Sequence, residues 1–122
     1  MNSQELTPAQ LSKMPWYPRD FASSTRGWPI VVRGVYRELL DSQWDQGGLP
    51  ENPEILRAIA LVTPVEWRTA WAVLESKFPI CEDGLRRNRR LESHREKVIK
   101  EVERRRKGAH TTNREYWNRN SA

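Results

Sequence analysis

Apolar side chains recur every three or four positions along the middle of the chain: Val32, Val35, Tyr36, Leu39, Leu40 and Trp44, with Arg33, Arg37, Glu38 and Asp41 between them. That period puts one apolar stripe and one charged face on a helix starting near Pro29. Gly47-Gly48 then supply the left-handed backbone that helix ends favour. Asn52-Pro53 reads as N-cap and first residue of a second helix, which carries Ile55, Leu56, Ile59, Ala60 and Leu61 and runs two to three turns. Thr63-Pro64 repeats the start signal, and Glu66 completes a capping box. Trp67, Trp71, Leu74 and Phe78 form the stripe of this third helix.

Pro79 prevents further helix, and Glu82-Asp83-Gly84 between two short runs predicts a β-hairpin with Asp-Gly at its tip. Its second strand is nearly all arginine. From Leu91 the helical period returns through Arg95, Val98 and Val102, with Glu96 to Lys100 and Glu101 to Arg105 spaced for i, i+4 pairs. Gly108 is the expected end of this basic helix. The flanks lack a sustained period: residues 1–13 read as a flexible arm with one turn at Thr7-Pro8, and 108–122 as a flexible tail. Pro15 to Phe21, PWYPRDF, reads as an extended segment whose aromatics pack on the core. The resulting division is an arm at 1–13, a domain at 14–91, a basic helix at 92–107 and a tail at 108–122.

Charge changes this picture by being local. Residues 85–107 hold eleven Lys and Arg against four Glu, whereas residues 1–84 hold eight basic and eleven acidic side chains. A field of one sign on one segment attracts polyanions, because neutralising phosphates releases their counterions. The lone Cys81 has no disulfide partner in the chain, and with only His94 and His110 it makes no familiar zinc spacing. A reduced thiol in a cytoplasmic protein is expected, with no metal and no cofactor. No apolar run is long enough for a membrane span. Gly-rich phosphate loops, paired nucleophile and base, and clustered carboxylates are all missing from the sequence, so an enzyme is not expected.

Three helices followed by a hairpin with a basic outer strand is the order of a winged helix. The expected fold class is therefore mainly α with a small β-hairpin, a winged helix-turn-helix domain followed by a basic C-terminal helix. Longer words carry a family likeness: PWYPRDF, GVYRELLDSQWDQGGLPEN at Gly34 to Asn52, Glu66 with Trp67 and Trp71, and KFPICEDGLRRNRRLE at Lys77 to Glu92. From Met14 to about Gly108 the chain resembles the YdaU-like family of prophage proteins, which is similar to the N-terminal domain of phage replisome organisers. The resemblance implies a winged helix of phage or prophage origin acting in replication initiation, binding origin DNA and engaging a helicase or helicase loader. Asn88, Arg90 and Leu91 fall on the family's Asn-x-Arg-Leu pattern. The chain departs from the organisers' plan in having little sequence after Gly108 for a helicase-binding region.

The residues themselves nominate a contact surface. Arg86, Arg87 and Arg89 on the hairpin are the leading phosphate contacts; Arg90, Lys97, Arg104 and Arg105 extend the basic surface, and Arg104 to Lys107 sit favourably at a helix C-terminus. Asn88 and Arg90 are also expected to be partly structural, with Asp20 or Asp41 as carboxylate partners. Arg68 and Thr69 on the third helix are the candidate base readers, although the balanced charge of that helix is a poor match to DNA. Trp44, Trp67 and Trp71 are assigned to the core. Trp16, Trp28 and Trp117 remain open between packing and stacking on single-stranded nucleic acid. Double-stranded DNA is the expected partner, with a homodimer through the Val98 and Val102 seam as a further expectation. The alternatives are a transcriptional regulator or a protein-interaction adaptor using Glu66, Glu75 and the Tyr116-Trp117 tail.

Overall fold

A computed structural model of the protein describes residues 14 and 16–120, with side chains from 14 to 109. The expected arm at 1–13 with its Thr7-Pro8 turn, residues 121–122, and the side chains of Tyr116 and Trp117 lie outside the described residues. The elements run α1 (Pro18–Ser24), α2 (Ile30–Gln46), α3 (Pro53–Ala60), α4 (Pro64–Leu74), a 3-10 turn (Glu75–Lys77) and α5 (Arg89–Asn120).

Helix α2 is the centre of the molecule and packs against α3, α4 and α5. Its buried residues are Val32, Val35, Tyr36, Leu39, Leu40, Gln43 and Trp44. These are the predicted stripe plus one polar residue. Leu49, Leu56, Ala60, Trp67, Ala70, Leu74, Phe78, Leu91 and Ile99 complete the core around it. Gly47 ends α2 at φ 83°, where the guanidinium of Arg95 passes 3.5 Å from the place a Cβ would occupy. The starts of α3 and α4 follow their signals closely. Asn52 accepts the N–H of Glu54 at 2.9 Å. Thr63 accepts from Glu66 N–H at 3.2 Å while Glu66 accepts from Thr63 N–H at 2.9 Å, and these bonds hold the Glu66 carboxyl below its usual pKa.

Three expectations are corrected. The segment around Pro18 is a helix, because proline at the first helical position gives up an N–H that would have had no partner there. Thr25 closes α1, its hydroxyl donating to the Phe21 carbonyl at 2.8 Å. The helix delivers its aromatics to α2: Phe21 stacks on Tyr36 at 5.9 Å, and Trp16 lies between Phe21 at 4.9 Å and the Arg37 guanidinium at 3.8 Å. Expected packing roles and an unexpected conformation therefore coexist in one segment.

The second correction concerns the fold class. The described residues contain no strand and no sheet, so the winged helix with its β-hairpin is not what this sequence forms. The turn itself exists: Gly84 has φ 84°, its N–H reaches Cys81 O at 3.0 Å, and Asp83 Oδ1 accepts Leu85 N–H at 3.1 Å. Beyond it only the isolated bridges Ile80 to Arg86 and Leu49 to Arg86 form. Both arms end too soon for a ladder. Phe78 N–H is held by Glu75 O at 3.2 Å, and Asn88 N–H is held by Gln43 Oε1 at 2.6 Å, so the backbone on each side is already committed elsewhere.

Third, the last helix starts at Arg89 and continues through Gly108 to Asn120. The expected boundary between 91 and 92 falls inside it, and the expected end at Gly108 is not observed. At roughly 1.5 Å per residue its 32 residues span about 48 Å. Ile99 is its last buried side chain among those described, and Val98 and Val102 pack partly against the core. The seam expected to pair two copies is thus engaged inside the domain.

Two stability predictions follow from the polar stripe position and from the end of α3. Gln43→Leu keeps size and helix propensity but leaves the Asn88 N–H without a partner in a buried place, while the Asn88 carbonyl keeps only its bond from Glu92 N–H at 3.0 Å. A loss of roughly 1–3 kcal/mol in denaturant unfolding is expected, the cost of one orphaned buried group; a loss below about 0.5 kcal/mol would show the link to be dispensable. Leu61 ends α3 at φ 58° with its side chain exposed. Leu61→Gly relieves that conformation with no packing lost, and a gain of about 0.5–1 kcal/mol is expected in the same measurement.

Candidate nucleic-acid interface

The arginine tract divides into a buried half and an exposed half at the start of α5. Asn88 precedes the helix and caps it, its Oδ1 accepting Leu91 N–H at 3.0 Å. Its other groups are all engaged: Nδ2 donates to Lys77 O at 3.1 Å and to Tyr36 Oη at 3.3 Å, and its carbonyl accepts from Gln43 Nε2 at 3.1 Å. Burial raises the Tyr36 hydroxyl pKa, with the Asn88 bond and the Arg90 charge opposing. Asn88 is structural, as the sequence led one to expect.

Arg86 and Arg87 are positioned differently from the expectation. Arg86 is buried, with Nε donating to Glu51 O at 3.0 Å and Nη1 to Phe78 O at 3.1 Å, and its guanidinium lies 5.1 Å from the Trp71 ring centroid. Its backbone also exchanges both bonds with Leu49, at 2.8 and 2.9 Å. Such a group ties three loop segments together and is not presented to phosphate. Arg87 donates from Nε to Gly47 O at 2.7 Å and forks onto Asp83 at 3.0 and 2.6 Å. That fork drives the Asp83 carboxyl down to about 2, helped by Leu85 N–H, and raises the Arg87 pKa. Arg95, absent from the nominated set, is likewise buried and donates to Trp44 O at 3.2 Å.

The remaining nominees are exposed. Arg90 pairs with Asp20 at 2.7 Å, one of the two carboxylates named for it from sequence. Arg104 and Arg105 share Glu101 at 2.8 and 3.1 Å, and the Arg104 bonds lower the Glu101 pKa. Arg68 and Thr69 are exposed on α4, where Thr69 Oγ1 donates to its own helix at Val65 O, 3.2 Å away. Among the described residues no hydrogen bond or ion pair ties either of them to the basic tract.

What the structure does assemble is one face of α5. Leu91, Arg95 and Ile99 turn inward. The opposite positions, at steps of three and four, are Arg89, Ser93, Lys97, Lys100, Arg104 and Lys107, all of them exposed. Five of the six are cations, and the row is about 27 Å long. Lys100 joins it although the sequence reading treated it only as a partner for Glu96. Its place was legible from the period once the buried side was known. The described residues contain no group of three or more His, Cys, Asp and Glu able to hold a metal ion. None of the described helices is long and apolar enough to cross a membrane.

The Asp83 fork yields a pH prediction. A carboxyl held near 2 in the fold against an ordinary 3.8 contributes stability that is complete above about pH 4 and lost as pH falls toward 2. Thermal melts of the parent and Asp83→Asn between those limits are expected to show the parent losing more Tm on acidification than the variant; equal losses would mean that the fork adds nothing.

No curated protein and no solved structure matches the chain. One family model does, over residues 14–96, which take in α1 to α4, the Asp83-Gly84 turn and the inward-facing start of α5. The chain accordingly belongs to the family described as protein of unknown function (DUF1376).

Proposed function

We propose that this protein binds DNA, and that its phosphate-contacting surface is the outward face of α5. The observation that carries the reading is the row of Arg89, Lys97, Lys100, Arg104 and Lys107 on a helix whose other side is anchored in the core. A rigid rod with cations every one to two turns suits a backbone of regularly spaced charges, and such contacts bind without reading sequence. The arginines of the preceding turn hold the rod in place. The resemblance to prophage proteins related to replisome organisers supports a role in phage replication initiation, with origin DNA as target and a helicase or its loader as partner. A transcriptional regulator would share the same DNA-binding step.

One observation favours an adaptor as second reading. Ile55 in the first turn of α3, Leu61 at its end and Val65 at the start of α4 are exposed, and Leu61 holds a left-handed conformation without burying its side chain. An apolar patch of this kind fits a protein contact.

Salt response tests the first reading. With four to five phosphates neutralised, duplex affinity is expected to fall roughly 100- to 500-fold between about 50 and 200 mM salt. The variant Lys97→Gln, Lys100→Gln, Arg104→Gln and Lys107→Gln spares the core. Its log K against log salt slope is expected to shrink by about 3 to 4, as read by fluorescence anisotropy. No binding at low salt, or an unchanged slope, would overturn the assignment.

A further inference from the structure

Beside the first turn of α5 an open cleft of about 440 Å³ lies among the end of α1, the start of α2 and the 3-10 turn. Trp28, Tyr36, Ser76, Lys77, Arg89 and Arg90 line it, and no carboxylate does. Of the three cations, Arg90 is neutralised by Asp20, whereas no ion pair is formed by Lys77 or Arg89 among the described residues. The Tyr36 oxygen accepts from Asn88 Nδ2 at 3.3 Å, and Tyr36 lines the cleft beside Trp28. Trp28 is half-buried, braced edge-on against Tyr36 at 5.4 Å, and still reaches the cleft wall. An aromatic held rigid on one side, with two uncompensated cations at the same opening, has the chemistry of a site for a flat ring that carries a phosphate.

Continuity with α5 identifies the source of that ring. Arg89 is both a cleft residue and the first member of the cationic row. A phosphate backbone following the row from Lys97 toward Arg89 arrives at the cleft, which Lys77 also lines. We propose that the cleft receives one unpaired nucleotide of a DNA strand, its base against Trp28 and its flanking phosphates on Arg89 and Lys77. This rests on the reading of α5 as a phosphate-binding face and adds to it a preference for single-stranded or opened DNA. Stacking on an aromatic is tolerant of base identity, so little sequence selectivity accompanies it.

The test compares, on the full chain at one salt concentration, a labelled oligothymidine of about twelve nucleotides with an abasic strand of the same length and phosphate number. The base-bearing strand is expected to bind about tenfold more tightly. Trp28→Leu, checked for retained helix and a cooperative melt, is expected to close that gap to about twofold, and Trp16→Leu to leave it intact. Lys77→Gln, at an exposed position, is expected to weaken both strands and serves as the second variant if Trp28→Leu does not fold. Equal affinity for the two strands with steep salt dependence would overturn the cleft while leaving the α5 reading in place. A gap that survives Trp28→Leu, or full competition by thymidine monophosphate alone at comparable concentration, would also overturn it. Absence of binding to either strand and to duplex would remove both readings together.

Discussion

Gln43 Oε1 accepts the Asn88 N–H at 2.6 Å and Gln43 Nε2 donates to the Asn88 carbonyl at 3.1 Å, in a place where both residues are buried. The rest of the molecule is arranged around this exchange. A buried backbone amide must be paired, and a side-chain amide on α2 supplies both a donor and an acceptor at one point. The chain is thereby prevented from extending a strand through residue 88 and is turned into a helix at residue 89. The Asn88 side chain does the same work locally, capping α5 and reaching back to Tyr36 and Lys77. One polar contact thus sets where the turn stops, where the last helix begins and which way that helix leaves the core.

That helix start partitions the arginines. On its loop side Arg86 and Arg87 meet carbonyls and a carboxylate, because a closely packed loop has few regular backbone bonds and long guanidinium side chains can satisfy several acceptors at once. On its helix side the 3.6 period sorts positions by direction, so Arg95 is drawn in while Lys97, Lys100, Arg104 and Lys107 are turned out. A tract that looks uniform in composition therefore has two physical roles, cohesion before residue 88 and, Arg95 apart, a charged surface after it. The proposed DNA contact depends on both, since a cationic row is useful for binding only if the rod that carries it is fixed.

Legibility followed the range of the interactions. Capping at Asn52 and Thr63, the Gly47 stop and the α2 stripe depend on residues within four positions of one another, and each stands as read. Arg90 with Asp20 was also anticipated, although 70 positions separate them. The hairpin was misread because Asp83-Gly84 fixes a turn but not the length of its arms. The helix at Pro18 was misread because two prolines suggested extended chain, while the Tyr36 ring and the Arg37 guanidinium, which receive Phe21 and Trp16, lie on another element. Gln43 carried a signal that went unused: a polar residue on an otherwise apolar stripe.

The sequence by itself determined the existence of α2 to α5, the caps of α3 and α4, the Gly47 stop, a tight turn at Asp83-Gly84 and a basic last segment, since propensity, capping and charge are properties of neighbours along the chain. Tertiary structure alone decided which cations remain available. Burial of Arg86 and Arg95, the commitment of Arg87 to Asp83 and Gly47, and the gathering of Trp28, Lys77 and Arg89 around one cleft all depend on partners far away in the chain. The physical reason is that a charge is defined by its sequence but its reach is defined by its surroundings: desolvation and a fixed partner convert a phosphate ligand into a structural tie, and only the packed molecule states which of the two each arginine has become.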